Sequence, residues 1–319
     1  MLFLYIGIGV VLFFALAVLI TSYVCFSMVF LEHRKRDEAR RLRAKRDDVP
    51  IPEGDEYVPY RDRIRKKIRE ARELPYEEME ITSYDGLRLK GRYYERHPGA
   101  PIELMLHGYR GCAERDMSAG IFRAFAVGRN ALLVDHRASG RSEGRVITFG
   151  AREKRDCIAW VHHMISRFGE DVKIVLAGIS MGASTVMMCS AEELPKSVVG
   201  ALADCGYTSA EQIIRKVIRD MRLPDKLLFP FVRLGARIYG GFDIDEADAR
   251  SAVAKSRLPI IFIHGEADGF VPCDMSRENY NACTSKKMLL TIPGADHGLC
   301  YMCDPEGYVD AVKDFFSYI

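Results

Sequence analysis

Ser180 stands in the surroundings most suited to chemistry in this 319-residue chain. It is the centre of Gly178-Ile179-Ser180-Met181-Gly182, directly after the apolar run Val175-Leu176-Ala177 and before a helical run from Ala183 to Ala191. At a strand-to-helix junction this G-x-S-x-G pattern forces the serine into a strained turn at the sheet's edge, and the glycines remove side chains that would clash there. A serine hydroxyl is a poor nucleophile until a base takes its proton. His264-Gly265-Glu266-Ala267-Asp268 follows an apolar strand and puts Asp268 in the loop at its carboxyl end, and Pro293-Gly294-Ala295-Asp296-His297-Gly298 presents His297 in the same way. The expected roles are His297 as the base for Ser180 and Asp268 as the group that fixes the imidazole tautomer and stabilises the imidazolium. Such chemistry also needs donors for an oxyanion. Met181 offers its backbone N–H directly after the serine, and Tyr109 is expected to offer another from the loop His107-Gly108-Tyr109-Arg110-Gly111.

The elements that must position these loops are legible from periodicity. Short β-rich runs at Glu77–Ser83 and Leu87–Glu95 flank the turn Tyr84-Asp85-Gly86, a hairpin signal. Apolar runs follow at Ile102–Leu106, Ala131–Val134, Lys173–Ala177, Val198–Ala203, Pro259–Ile263 and Met288–Ile292, with helical stretches between most of them. Alternation of this kind predicts an α/β class: a mainly parallel central sheet with helices on both faces. Sites in such sheets lie at the carboxyl ends of the strands. Between Tyr207 and Lys255 two helical repeats, Ile213 to Met221 and Leu227 to Leu234, predict a small helical cap over the site, suited to lining an acyl pocket or to packing on the sheet.

Together His107-Gly108, Asp135-His136-Arg137-Ala138-Ser139-Gly140-Arg141-Ser142, the Gly178–Gly182 turn, His264–Asp268 and Asp296-His297-Gly298 resemble the α/β-hydrolase superfamily from about Glu77 to the C-terminus. Asp204-Cys205-Gly206-Tyr207-Thr208-Ser209 resembles, more narrowly, membrane-anchored bacterial serine aminopeptidase-like hydrolases. The resemblance implies the α/β-hydrolase fold and a Ser-Asp-His triad, with the acid and the histidine following the serine in that order. It departs at Ala138, where the family usually has glycine in D-x-R-G-x-G-x-S.

Other residues compete for roles. Asp204 ends another apolar strand and is the rival acid, with Asp268 favoured for its H-G-x-x-D loop. His107 reads as an orienting hydrogen-bonder, His162 and His163 as packing or surface residues of the helix Arg152–Phe168, and Asp296 as a turn residue. Cys300-x-x-Cys303 has no matching Cys/His pair at structural-zinc spacing, so neither a metal nor a cofactor is expected. Nine cysteines without a scaffold spacing agree with a reducing compartment.

The 46 basic and 44 acidic side chains almost cancel, which gives no reason to expect a nucleic-acid partner. Positive charge is concentrated near the N-terminus: eight basic against three acidic residues in Glu32 to Arg46, and seven against three in Arg61 to Glu73. Before them, Met1 to Leu31 holds no Asp, Glu, Lys, Arg or His. A bilayer core takes about 20 apolar residues, so residues 1–31 predict a transmembrane anchor. No basic n-region or small-residue cleavage site marks a secretory signal. The basic cluster Arg34-Lys35-Arg36 through Arg46 follows the span, so the positive-inside tendency predicts a single-pass protein with a cytoplasmic catalytic domain. Residues 32–75 read as a basic juxtamembrane linker, broken at Val49-Pro50-Ile51-Pro52-Glu53-Gly54. They end in an amphipathic helix on Tyr60, Ile64, Ile68 and Ala71, suited to anionic lipid or to packing on the domain.

The expected activity is hydrolysis of a carboxylic ester or related acyl bond, thioester or small amide, through an acyl-Ser180 intermediate, on a small and apolar acyl substrate. An aminopeptidase-like amidase acting on short peptides is the first alternative. A non-catalytic, membrane-tethered binding protein on the same fold is the second.

Overall fold

In the computed structural model, which describes residues 1–32, 51 and 54–319, strand β3 (Ile102–Leu106) lies fully buried inside an eight-stranded sheet. The other strands are β1 (Glu77–Thr82), β2 (Arg88–Tyr94), β4 (Asn130–Val134), β5 (Ile174–Ile179), β6 (Val198–Asp204), β7 (Ile260–Gly265) and β8 (Lys287–Ile292). Their spatial order is β1-β2-β4-β3-β5-β6-β7-β8. The pairs β1/β2 and β2/β4 are antiparallel and all later pairs are parallel. The expected hairpin forms at Tyr84–Gly86, with Thr82 opposite Arg88.

Both faces of the sheet are covered because its central strands are apolar on both sides. Leu104 and Leu106 of β3, Leu176 of β5 and Phe262 of β7 enter one apolar cluster, while Met105, Val175, Ala177, Ile261 and Ile263 enter the other. The first face is closed by helices α4 (Glu153–Phe168) and α5 (Met181–Cys189), with the buried Trp160 at its centre. The second is closed by α3 (Ala113–Ala126) and the C-terminal α11 (Pro305–Phe315), through Ile121, Tyr308 and Phe315.

Helix α1 (Leu2–Phe30) precedes the sheet and is long and apolar enough to cross a membrane. Its last turns are part of the folded domain: Ser22, Phe26 and Phe30 are buried, and Phe30 meets Phe149 and Phe242 edge-on. The chain then pairs with the loop before α4, where Glu32 N–H donates to Arg145 and Ile147 N–H to Phe30. The basic cluster Arg34 to Arg46, and most of the break that follows it, lie outside the described residues. A 3-10 turn (Asp55–Tyr60) leads into α2 (Arg61–Glu73), the expected amphipathic helix. Its apolar stripe is used by the protein itself. Ile68 and Ala71 are buried, and Arg72 reaches Glu114 on α3.

Between β6 and β7 come α6 (Ala210–Asp220), α7 (Asp225–Gly235), a π turn (Ala236–Gly240) and the short α8 (Ala249–Val253). These are helices where a cap was expected, but α7 packs against α1 rather than over the site. Gly235 permits this close approach: a Cβ there would lie 2.4 Å from the Ser22 carbonyl oxygen. Helices α9 (Cys273–Ala282) and α10 (Cys300–Cys303) flank β8 in sequence.

Ala138 has φ +58°, which explains why glycine is usual in that loop: the left-handed region crowds an L side chain's Cβ. Asp135 holds the turn by accepting from Ala113 N–H at 2.9 Å and Arg141 N–H at 3.0 Å. Ala138→Gly should relieve the strain and raise unfolding stability by up to about 1 kcal/mol, read as a higher denaturation midpoint. An unchanged or lower midpoint would mean that the buried methyl group contributes more than the strain costs.

Candidate active site

The turn at Ser180 follows from atoms that cannot overlap. β5 must reverse into α5 within one residue, and Ser180 does so at φ +54°, ψ −117°. A Cβ at Gly178 would lie 2.3 Å from the backbone of Gly182, and one at Gly182 would lie 2.0 Å from the Leu106 carbonyl oxygen. Only glycine on both sides lets strand, helix and β3 meet this closely. Ser180 N–H donates to the Asp204 carbonyl at 2.8 Å, which fixes the turn to the end of β6.

The three loops expected to converge do so. Ser180 Oγ lies 3.0 Å from His297 Nε2, and His297 Nδ1 lies 2.7 Å from Asp268 Oδ2. Ser180 and Asp268 are buried, while His297 is partly exposed beneath the ring of Phe270. Burial pushes the Asp268 carboxyl up, but hydrogen bonds from His264 and His297 outweigh it and hold the group well below the usual carboxylate range. Its other oxygen accepts from the N–H groups of Phe270 and Val271 at 2.9 and 2.7 Å. Asp268 is therefore an anion aimed at the far nitrogen of a histidine whose near nitrogen faces a serine.

Asp204, the rival acid, has no hydrogen bond to His297, whose Nδ1 faces Asp268. Asp204 Oδ2 accepts from the Tyr308 hydroxyl at 3.0 Å, and burial raises its pKa. His107 orients the loop after β3, with Nε2 accepting from His136 N–H at 3.0 Å and Nδ1 2.7 Å from the Gly108 carbonyl. Asp296 shapes its turn by accepting from His297 N–H and Gly269 N–H. The loop beside the serine is close: the Cβ position of Gly108 is 3.8 Å from Ser180 Oγ. Tyr109 follows it and lines the same cavity as Ser180, and its hydroxyl donates to the Val29 carbonyl at 2.6 Å. Met181 opens α5, where a first-turn N–H has no partner within the helix.

Several contributors were not visible in the sequence. His264 is fully buried. Its Nε2 lies 2.9 Å from the Val271 carbonyl, which can only accept, so that nitrogen carries the proton and also reaches Asp268 at 3.1 Å, while Nδ1 meets Ser276. Tyr57, from the segment read as linker, donates to the His297 carbonyl at 2.9 Å. The end of α1 is engaged as well: Arg110, at φ +51° in the loop after β3, donates to the carbonyls of Met28 and Leu31. These are carbonyls that a helix end leaves without partners.

A cavity of about 460 Å³ opens at Ser180. Ile64 and Ile68 of α2, Met117 of α3, Ile179, Phe270 and Leu299 give it an apolar lining, and Lys67, Arg115, Glu56 and Asp116 add charge of both signs. None of its lining residues comes from 207–255, so the wall expected from a cap is supplied by the N-terminal segment instead. The physical reason is that α7 spends its apolar face on α1.

Cys205, Asp268 and His297 place three ligand atoms within 4.8 Å of one another. Burial and the neighbouring carboxylates push the Cys205 thiol well up, which keeps it protonated and a weak ligand, and the other two groups already bind each other. The donor set suits proton movement better than an ion. Cys303 donates to the Tyr60 hydroxyl, and Cys300 is buried beside Asp204.

The hydrogen bond from His264 should matter most where Asp268 is charged. A depressed folded-state pKa stabilises the fold above the unfolded value, near pH 4, and that stability is lost as pH falls toward the folded value. His264→Ala should therefore cost about 2 kcal/mol at neutral pH, with the gap to wild type narrowing below about pH 4 in urea titrations. A gap independent of pH would assign His264 a packing role only.

No family model matches the chain. Among relatives, it is 24% identical to the uncharacterized Bacillus subtilis protein YqkD over 248 residues, 76% of this chain and 81% of that protein. It is 23% identical to the bem46 protein of Schizosaccharomyces pombe, over 76% and 77% of the two chains. Among solved structures, an esterase of Pyrococcus furiosus aligns with a TM-score of 0.63 and 24% identity, covering 84% of this chain and 96% of that one. Est1E of Butyrivibrio proteoclasticus, solved with ferulic acid, aligns with a TM-score of 0.56 and 22% identity over 75% and 98%. The sheet order, the strained serine after β5 and these similarities agree: the chain has the α/β-hydrolase fold.

Proposed function

We propose that the protein is a membrane-anchored serine hydrolase that cleaves a carboxylic ester or related acyl bond through an acyl-Ser180 intermediate. One observation carries this reading: the hydrogen-bonded sequence Ser180 Oγ, His297 Nε2, His297 Nδ1, Asp268 Oδ2, with the serine held in a strained turn at the floor of a cavity. In the proposed cycle His297 removes the Ser180 proton as the oxygen attacks the acyl carbon. Asp268 holds the imidazole in the tautomer that accepts at Nε2 and stabilises the resulting imidazolium. The backbone N–H groups of Met181 and Tyr109 bind the oxyanion. His297 then gives its proton to the leaving alcohol, and a water repeats the sequence to release the acid. The site needs no cofactor for this chemistry.

The apolar walls of the cavity support a modest apolar acyl group. The cavity's volume is in the range of small-molecule sites. Asp116, a carboxylate close to the serine loop, is engaged by Arg115 and by Gly108 N–H, so it is a poor partner for a substrate ammonium. Membrane anchoring is supported by the length and apolarity of α1, and a cytoplasmic domain by the basic residues that follow it.

A fluorophosphonate probe should label the full chain, and Ser180→Ala should abolish labelling and lower esterase turnover by about four to six orders of magnitude. Absence of labelling of the folded wild type would favour the binding-protein alternative. p-Nitrophenyl esters with short to medium acyl chains should be cleaved faster than aminoacyl anilides, and the reverse order would reassign the enzyme as an amidase. Alkaline phosphatase fused after Ile319 should be inactive in cells, since that end is proposed to be cytoplasmic; an active fusion would invert the topology.

A further inference from the structure

His297 lies between two glycines in the left-handed region, Gly294 at φ +69° and Gly298 at φ +68°. Glycine there carries no Cβ strain, but it also lets the backbone turn freely, so outside groups must fix the histidine. Asp296 holds its N–H, Asp268 holds Nδ1, and the ring of Phe270 meets the imidazole edge-on at 5.1 Å. The carbonyl is held from much farther away in the chain. It accepts from the hydroxyl of Tyr57 at 2.9 Å, a residue 240 positions earlier and ahead of the first strand.

Tyr57 belongs to the 3-10 turn Asp55–Tyr60, which buries no residue of its own, so side chains must hold it in place. Arg63 donates to the Met302 carbonyl at 2.9 Å, and the Cys303 thiol donates to the Tyr60 hydroxyl at 3.1 Å. Residues 57, 60 and 63 follow one another about one helical turn apart. Each meets the stretch 297–303, which runs from the catalytic histidine through α10. Behind them α2 is pinned to α3. Ile68 and Ala71 are buried, Arg72 pairs with Glu114, and the Lys67 ammonium lies 4.2 Å from the centre of the Phe122 ring. The segment is thus a strap, anchored on α3 at one end and touching the histidine at the other. Tyr57 also lines the cavity at Ser180, and burial raises the pKa of its hydroxyl, which keeps it a donor.

We propose that Tyr57 is a positioning residue for the acylation of Ser180: its hydroxyl holds the His297 peptide, and through it the imidazole, in line between Ser180 Oγ and Asp268 Oδ2. This rests on the reading of Ser180, His297 and Asp268 as a triad. The lever is short, because the bond lands on the carbonyl next to the Cα that carries the ring. His297 Nε2 must stay near its 3.0 Å from Ser180 Oγ while it takes the proton and later returns it. Proton transfer and attack are sensitive to displacements of about an ångström. The catalytic geometry is therefore not complete in the sheet and its loops; residues from before β1 finish it.

The test compares the full chain in detergent with Tyr57→Phe, which keeps the ring as a wall of the cavity and removes only the hydroxyl. Turnover of a p-nitrophenyl ester and the rate of fluorophosphonate labelling should both fall about tenfold in Tyr57→Phe, with KM unchanged. Loss of one hydrogen bond leaves nearly all of the chain folded in the absence of denaturant. A purely structural role would therefore lower the urea midpoint and leave both rates at the parent's values, and that result overturns the proposal. A raised KM with unchanged kcat also overturns it, by making Tyr57 a substrate contact instead. Should Tyr57→Phe fail to fold, Arg63→Met carries the test, since Arg63 anchors the strap without lining the cavity. Its labelling should slow by about twofold or more, and labelling at the parental rate overturns the proposal. If the folded parent is itself not labelled, the triad reading falls and the positioning role falls with it.

Discussion

The structure depends on one steric requirement: β5 must turn into α5 through a residue with positive φ while β3 presses against the first turn of that helix. Ser180 supplies the residue, and the glycines on either side remove the two Cβ atoms that would collide with Gly182 and with the Leu106 carbonyl. Everything else at the site is arranged around that point. β6 fixes the turn through the Asp204 carbonyl, β7 and β8 deliver Asp268 and His297 to the same edge, and the loop after β3 passes within contact of the serine. A parallel sheet brings these loops together because every strand after the first hairpin ends on the same side.

A second layer of contacts gives the site its electrostatic character. Asp268 remains charged despite burial because four donors converge on its two oxygens: His264, His297 and the N–H groups of Phe270 and Val271. His264 is fixed in turn by a carbonyl and a serine hydroxyl, which leaves one tautomer. Asp204, the other acid at the edge of the sheet, is held through one oxygen by Tyr308, while His297 Nδ1 faces Asp268.

The sheet, the hairpin and the three converging loops were legible in the sequence because each leaves a local mark: apolar runs of strand length, a turn dipeptide, glycines flanking a serine, an acid and a histidine placed just after strands. The wall of the cavity was not. Tyr57, Ile64 and Ile68 sit in a basic stretch whose periodicity announces an amphipathic helix without naming the surface it will cover. The helices of 207–255 were equally visible as helices, but their destination depended on Gly235, a single small residue that lets α1 come close enough to claim their apolar face. His264 was read only as the start of a loop motif, since a buried histidine's partners come from backbone positions that sequence does not specify. Ala138 went the other way: the expected glycine marks a left-handed residue, and the structure shows the alanine holding that conformation all the same.

The last carbonyls of α1 end on Arg110 and the hydroxyl of Tyr109, and the following residues add a rung to the loop before α4. A helix joined to its domain at so many points is a strut, not a leash. Those contacts join α1 to the loop after β3, the loop that passes beside Ser180, so the position of the helix and the position of that loop are fixed by the same hydrogen bonds.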